Sequence, residues 1–179
     1  MKRCHRFYLA ALVVLLAGGL VFLPRSSGQS SWKLFTSVEG NFSAMMPGTP
    51  TEETKPITTE SGREAQQHNF IVDKGPTAYF VSYTEYPYDV EDSEQALDHS
   101  RDGFLKGIKG HLISERSVTI SGYKGRAIKA QTDNEKYVAY LRQYVVKRRL
   151  YQVLIMAENS YTTTTMDDDF FTSFRLVSR

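Results

Sequence analysis

The sequence predicts an α+β fold, a largely antiparallel sheet covered by helices on both faces, after an N-terminal apolar leader helix. Three observations predict this class. Short β-type segments recur between turns that contain Gly, Pro or Asn. Two other segments repeat apolar residues at helical spacing. Several β-type segments are apolar on both sides, and a strand of that kind needs a covering layer on each face.

The leader occupies residues 1–28. Its basic head contains Lys2, Arg3 and Arg6, and residues 7–23 carry no charge. A basic head stays on the cytoplasmic side while the apolar run enters the membrane, so the rest of the chain is delivered across it. We therefore expect an extracytoplasmic protein, periplasmic or secreted, that contacts the membrane only through an uncleaved leader.

Two fates of the leader stay open, a cleaved signal peptide and an N-terminal membrane anchor, because the apolar run is intermediate in length between the two. Pro24 ends the helix, and the small residues at 26–28 favour cleavage after Gly28. Cys4 precedes the apolar run, whereas a lipoprotein cysteine follows it, so lipid attachment is not indicated. Residues 29–179 are then a single α/β domain large enough to bury a full core.

Charge and cysteine content narrow the function classes. Four of the 22 basic residues lie in the leader, so residues 29–179 carry 18 basic against 20 acidic side chains. This balance gives no support to wholesale binding of nucleic acid or anionic lipid. Cys4 is the single cysteine of the sequence. The exported part therefore has no disulfide, and we expect it to fold by burial alone as a monomer, without metal or reductant.

Nine segments have the pattern of strands. They are residues 32–36, 42–46, 51–59, 63–72, 77–86, 112–120, 125–132, 137–146 and 150–157. The first two form a hairpin around a turn at residues 39–41, and the polar, threonine-rich third suits an exposed edge. The fifth, eighth and ninth are apolar on both faces, which predicts central positions, with the last two as an antiparallel pair.

The main helix is predicted over residues 93–108. Ser93 is its candidate N-cap, Glu94 lies in the first turn, and Gly110 suits its end. Its apolar residues recur at helical spacing and are Leu97, Phe104 and Ile108. A second helix closes the chain, with the three aspartates 167–169 in its first turn. Its predicted buried side consists of Phe170, Phe171, Phe174 and Leu176.

Six short motifs carry a resemblance that covers nearly all of residues 32–176. They are WKLFTS (32–37), EGNFS (39–43), MPGTP (46–50), VSYTEYP (81–87), SGYKGR (121–126) and RLYQV (149–153). In these motifs the chain resembles a family of exported bacterial proteins of uncharacterised function. It is more distantly similar to the PsbP-like proteins, the extrinsic subunits and assembly helpers of photosystem II. That similarity lies in the order of strands and helices and in the Phe-x-x-x-x-Pro opening at Phe42 and Pro47. The resemblance implies an α/β/α sandwich without enzymatic activity that docks onto other proteins.

The exported part shows no catalytic constellation and no motif for a metal or cofactor. It has no cysteine, no Gly-x-Ser-x-Gly and no phosphate-binding glycine loop. His68, His99 and His111 are isolated in sequence, which favours surface or partly buried roles over metal ligation. Acidic clusters at 89–94 and 167–169 could hold calcium through their oxygens, but helix starts recruit acids for capping, and that interpretation is favoured.

Tyrosines give the best indication of a contact surface. Tyr86, Tyr88 and Asp89 gather where a predicted central strand ends, and exposed tyrosine beside charge is typical of protein interfaces. Tyr83, in contrast, is expected in the core. The basic turn 147–149, Lys147, Arg148 and Arg149, is a second candidate surface, for an acidic partner or a lipid headgroup.

Two function classes follow. The favoured one is a non-catalytic binding or accessory protein that acts by protein-protein contact at the outer face of the membrane. The alternative is a small-molecule or lipid carrier, or a cryptic hydrolase, with a pocket between sheet and helix.

Overall fold

The computed structural model of the chain describes residues 32–59, 62–161 and 164–177. The predicted leader, residues 1–28, lies outside the described residues. Within the described part, no helix is both long enough and apolar enough to cross a bilayer. The described elements run in chain order as β1 Lys33–Ser37, β2 Phe42–Met46, β3 Thr51–Thr58, β4 Glu64–Asp73, β5 Thr77–Glu85, α1 Ser93–Ile108, β6 Gly110–Ile120, β7 Tyr123–Thr132, β8 Tyr137–Val146, β9 Arg149–Glu158, α2 Thr165–Ser173 and β10 Arg175–Leu176.

Most of the strands form one seven-stranded antiparallel sheet with the order β3-β4-β5-β9-β8-β7-β6. The predicted central positions of β5, β8 and β9 are confirmed, and β8 pairs with β9 in antiparallel register. β3 lies at one edge as predicted. Its polar side chains and Pro56 suit an edge, since proline cannot donate to a ladder.

The predicted hairpin forms, but it does not join the main sheet. β1 and β2 pair with each other, and β10 adds to β2, which gives a separate three-stranded sheet. Alternate residues of β2 are buried, namely Phe42, Ala44 and Met46. They pack in one cluster with residues of the main sheet, so the hairpin acts as a covering layer.

Alternate residues of β9 show how the two faces of the main sheet differ. Tyr151, Val153 and Ile155 share a core cluster with the small sheet and with Phe170 of α2. Leu150 and Leu154 pack instead in the clusters that contain residues of α1. Because successive side chains of a strand point to opposite faces, α1 packs on one set of side chains, and α2 with the small sheet packs on the other.

The ends of α1 correct two predictions. The N-cap is Asp92, not Ser93, because the Asp92 carboxylate accepts from the backbone N–H groups of Glu94 and Gln95 at 3.0 Å. The left-handed residue at the C-cap is Lys109 (φ 50°), not Gly110. Gly110 already begins β6, where a Cβ would stand 2.4 Å from the Gln131 carbonyl oxygen. Glycine is needed there for close strand approach, not for a turn.

The C-terminal segment holds a further correction. Phe170 and Phe174 are buried as predicted, but Leu176 lies in β10 beside Phe42 of β2 and not on α2. Asp167, in the first turn of α2, is only 2% exposed. Its carboxylate accepts from the Tyr79 hydroxyl at 2.7 Å and from the Thr164 N–H at 2.6 Å. Burial and this hydrogen bond raise the pKa of the Tyr79 phenol.

A network of ion pairs fixes α1 to β6 and β7. Arg126 of β7 pairs with Asp98 and Glu94 of α1 and with Glu115 of β6. Arg101 of α1 reaches the same Glu115 at 3.0 Å. Hydrogen bonds from Arg126 lower the pKa of the Glu94 carboxyl. Two arginines therefore hold the helix on the β6–β7 side of the sheet.

Candidate functional site

The end of β5 carries a stacked tyrosine pair. Tyr86 and Tyr88 have ring centroids 5.6 Å apart with an interplanar angle of 26°. Both side chains are half-buried, and Tyr86 packs against the cluster of Leu97, Val145 and Leu150. The Arg63 guanidinium lies over the Tyr88 ring at 5.5 Å. The pair therefore presents a rigid aromatic surface whose inner ring is part of the α1 side of the core.

The backbone around Tyr86 is fixed by the turn between β8 and β9. The Tyr86 N–H donates to the Arg148 carbonyl at 2.8 Å, and Arg148 Nε donates back to the Tyr86 carbonyl at 3.1 Å. Tyr83, three residues earlier in the chain, is 4% exposed, which confirms its predicted place in the core. Burial raises the pKa of the Tyr83 phenol.

Tyr86 and Tyr88 line an open cleft of about 740 Å³ between α1 and the sheet. The cleft exists because α1 packs chiefly on β6, β7 and β8 and leaves the β3–β4–β5 side of the same face uncovered. Its walls include Ile57 of β3 and Phe104 of α1. Aromatic and aliphatic walls of this kind are typical of ligand and peptide grooves.

A chain of hydrogen bonds between side chains includes Gln67, Ser100 and Gln152 of the cleft and continues into the core. Gln67 Nε2 and Ser82 Oγ each donate to Gln152 Oε1 at 3.4 Å. Gln152 Nε2 donates to Ser100 Oγ at 3.2 Å, and Ser100 Oγ donates to Gln143 Oε1 at 2.7 Å. Gln143 is 0% exposed and closes the chain on the Leu97 carbonyl. A glutamine amide has two N–H donors. Gln67 and Gln152 each use one of them in this chain of hydrogen bonds, so each keeps a second N–H that can donate to a ligand.

This amide floor is not among the features predicted from the sequence. Its signal was the presence of Gln143 and Gln152 in strands that are otherwise apolar on both faces. They are register partners on β8 and β9, so they share one face of the sheet. Buried glutamine is rare without a partner, and two at matched positions indicate a polar seam.

Asp89 and the basic turn come together, but at a different cavity from the tyrosine pair. Asp89, Lys147, Arg148 and Arg149 all line a cavity of about 750 Å³ beside the end of β10. Asp89 is thus a neighbour of the basic turn in space, although it is distant from the turn in sequence. Tyr86 joins the two groups through its backbone bonds with Arg148.

Arg149 of the predicted basic turn makes contacts within the fold. It begins β9, and its guanidinium donates to Glu85 Oε2 at 2.7 Å and to the Glu39 carbonyl at 2.8 Å. The guanidinium also lies 5.2 Å from the Tyr83 ring. Arg149 therefore holds the β1–β2 turn against the main sheet. Lys147 (φ 55°) and Arg148 are both exposed, and the Arg148 guanidinium stands 3.7 Å from the Glu85 carboxylate.

The histidines stay apart from one another. His68 stacks on Tyr83 with centroids 4.5 Å apart, and His111 Nδ1 lies 3.4 Å from Asp133. His99 lines the cleft. Within the described residues, no three His, Cys, Asp or Glu side chains are grouped as metal ligands would be. Of the acids before α1, Asp92 caps the helix and Glu94 belongs to the ion-pair network.

Comparison with known proteins bears on the fold alone. No known family profile and no curated protein matches the chain. Among solved structures, the chain is similar to the solution structure of cyanobacterial PsbP (CyanoP) from Synechocystis sp. PCC 6803, with a TM-score of 0.56 and 10% sequence identity. The match covers 84% of this chain and 95% of that one. The predicted distant likeness to the PsbP-like fold is confirmed, and at this identity it shows the fold only.

Proposed function

We propose that this chain is an exported, non-catalytic binding or accessory protein that acts by protein-protein contact, with the Tyr86–Tyr88 pair as its principal contact. The stacked and half-buried state of these two rings is the observation that carries the proposal. Rings already held in place lose little side-chain entropy when a partner packs on them. The PsbP-like fold supports a domain of this kind by analogy.

The cleft supports a specific mode of contact. A partner segment with an apolar side chain suits the walls formed by Tyr86, Tyr88 and Phe104. Its backbone amides suit the floor, because glutamine side chains offer the same donor and acceptor groups as a peptide. We therefore propose that an extended, mainly uncharged segment of another protein enters the cleft, with Gln67 and Gln152 hydrogen-bonding its main chain.

Site-specific crosslinking tests this contact. The full chain is produced in its own cell with benzoylphenylalanine in place of Tyr88, and irradiation should join it to one protein that mass spectrometry identifies. The matched control is benzoylphenylalanine in place of Tyr137, which is likewise half-buried with a cation, Lys136, 4.9 Å from its ring. Tyr137 lies at the opposite end of the sheet, beside Glu158. Equal crosslinks at both positions would argue against the tyrosine pair as the contact.

The proposal also includes the cellular location of the protein. We propose an α/β/α sandwich delivered outside the cytoplasm by residues 1–28, as a cleaved signal or as an anchor. Exchange of Leu15 and Leu16 for arginine should stop export, since each charge at the centre of an inserted helix costs about 3 kcal/mol. If the double variant is still found outside the cytoplasm, the assignment of residues 1–28 as an export signal is wrong. The intact mass of the exported protein then distinguishes a chain that begins at Gln29 from one that keeps Met1.

A second candidate function is favoured by the volume of the same cleft. About 740 Å³ with apolar walls and converging amides is enough for a small molecule or a lipid chain, which suits a carrier. The same crosslinking experiment separates the two candidates. A product at position 88 whose mass increases by that of a small molecule or lipid supports the carrier, whereas a protein adduct supports the accessory role.

A further inference from the structure

Three cations line a smaller cavity on the face opposite the cleft. The cavity has a volume of about 320 Å³, and Arg116 of β6, Lys129 of β7 and Arg142 of β8 line it together with Phe171 of α2. Arg142 lies on the side of β8 that faces α2, because its guanidinium is 4.8 Å from the Phe171 ring. This cavity shares no lining residue with the tyrosine cleft.

Strand register places the cations around one small residue. Arg116 is opposite Ala127, and Ala127 is opposite Arg142, so the three side chains form a row across β6, β7 and β8. Neighbouring strands lie about 4.8 Å apart, which places the two arginine backbones about 10 Å apart with only a methyl group between them. Lys129 is two residues along β7 and therefore on the same face. We call the space above Ala127 the Ala127 notch.

Aromatic rings hold two of the three cations in place. Lys129 Nζ lies 5.4 Å from the centroid of Tyr140, its register partner on β8. Phe171 supports the Arg142 guanidinium in the same way, and both cations are half-buried. Cation–π contacts restrict these flexible side chains without neutralising their charge. The notch is thus preorganised for a ligand that brings the opposite charge.

The cations of the notch differ from three arginines elsewhere in the fold. Arg101 and Arg126 are paired with the acids of the α1 network, and Arg149 is paired with Glu85. In the described part of the chain, by contrast, no carboxylate stands within ion-pair distance of the three cations of the notch, Arg116, Lys129 and Arg142.

Two acids also line the cavity. Glu115 is engaged with Arg101 and Arg126, and Asp168 is exposed at the rim. Three like charges around one small space repel one another, and an anion removes that repulsion.

We infer that the Ala127 notch binds a phosphate group, with Arg116, Lys129 and Arg142 as its ligands. A carboxylate has two oxygens, whereas a phosphate offers three or four, which suits three cations that approach from three strands. Arginine forks and a lysine point charge are the usual protein partners of phosphate. The group could belong to a free phosphorylated small molecule or to a phospholipid headgroup. The experiment below separates these sources.

Titration calorimetry of the full chain in a nonionic detergent tests the inference. The probes are inorganic phosphate, dihexanoyl phosphatidate and, as a zwitterionic comparison, dihexanoyl phosphatidylcholine. Inorganic phosphate should bind with an affinity that falls as sodium chloride rises. Phosphatidate binding at least tenfold tighter than inorganic phosphate identifies a lipid source, and equal affinity identifies a free phosphate compound. Absence of heat from both anionic probes at low salt would overturn the inference.

Variants locate the binding. Arg116 is exposed, so Arg116→Gln should not disturb packing. It should weaken phosphate binding about tenfold through loss of one charge-assisted contact. Lys129→Gln should do the same, while Asp168→Asn should tighten binding because it removes the acid at the rim. Lys147→Gln is the matched control, since it removes one exposed positive charge outside the cavity. Equal weakening by Lys147→Gln would mean that net charge, and not the notch, attracts phosphate.

Discussion

The two faces of the main sheet are covered in different ways. One face is filled by rings, with Phe42 within 6.4 Å, centroid to centroid, of Phe70, Tyr83, Tyr151 and Phe174. The other face has apolar clusters under α1, an amide floor and an open cleft. The filled face stabilises the fold through close packing, while the α1 face gives up some burial and keeps polar groups near solvent. Under the proposed function, partner contact belongs to the cleft on the α1 face, whereas the Ala127 notch lies on the opposite face.

The largest expected effect comes from the filled face. Phe42→Ala removes a ring that is 0% exposed and should lower the free energy of unfolding by about 3–5 kcal/mol. Phe104→Ala, on the half-buried α1 side, should cost less than half as much because the cleft already exposes that ring. Urea unfolding of both variants measures the difference. Equal losses would mean that the two faces contribute alike and that the contrast between them is wrong.

The ion-pair network should give the next effect. Arg126→Met leaves Asp98, Glu94 and Glu115 short of a partner and should cost about 2 kcal/mol. Lys124→Met is the control, because Lys124 is exposed and its solvent-screened pair with Glu94 should contribute little to stability. Thermal unfolding at neutral pH compares the two variants.

The same network predicts a pH dependence. The pKa of Glu94 is lowered in the folded state by Arg126 and Lys124, so its contribution is complete above the unfolded pKa of about 4.3 and is lost as the pH falls further. The melting temperature of the native chain should therefore drop more between pH 6 and pH 3 than that of Arg126→Met. Parallel curves for the two proteins would show that the network adds no acid-sensitive stability.

The amide floor should contribute a smaller amount. Gln143→Leu removes the donor to the Leu97 carbonyl and the acceptor for Ser100, and should cost about 1–2 kcal/mol. Adding Ser100→Ala should recover part of this loss, because it removes the hydroxyl that lost its acceptor on Gln143. A double-mutant cycle by urea unfolding measures the coupling. Strictly additive losses would mean that the two side chains do not act as one seam.

The smallest effect on stability is expected at the tyrosine pair. Tyr88→Ala should change the free energy of unfolding by less than about 1 kcal/mol, as should Tyr137→Ala, since both rings are half-buried. Binding of the partner identified by crosslinking should weaken at least tenfold in Tyr88→Ala alone. If Tyr88→Ala instead destabilises the fold by several kcal/mol, the ring is a core residue and the contact proposal fails.

Local pattern was enough to predict the elements other than β10. The bounds of β2 and β8 match the predicted 42–46 and 137–146, and α1 ends at the predicted Ile108, because alternation and helical spacing are properties of neighbouring residues. The core position of Tyr83 was accessible as well, since Tyr83 lies within a strand that is apolar on both faces. Errors gathered at ends such as Asp92 and Lys109, where one residue decides a cap.

What the sequence by itself determined was the order of strands and helices, the central position of the two-faced strands and the absence of a disulfide in residues 29–179. Only the tertiary structure decided that the first hairpin covers the sheet, that α1 leaves a cleft, and that Arg116, Ala127 and Arg142 stand in one row. The physical reason is the sequence separation of the residues that interact. Periodicity records which side of its own element a residue faces, whereas layers, clefts and charge clusters depend on register between strands that are distant in the chain.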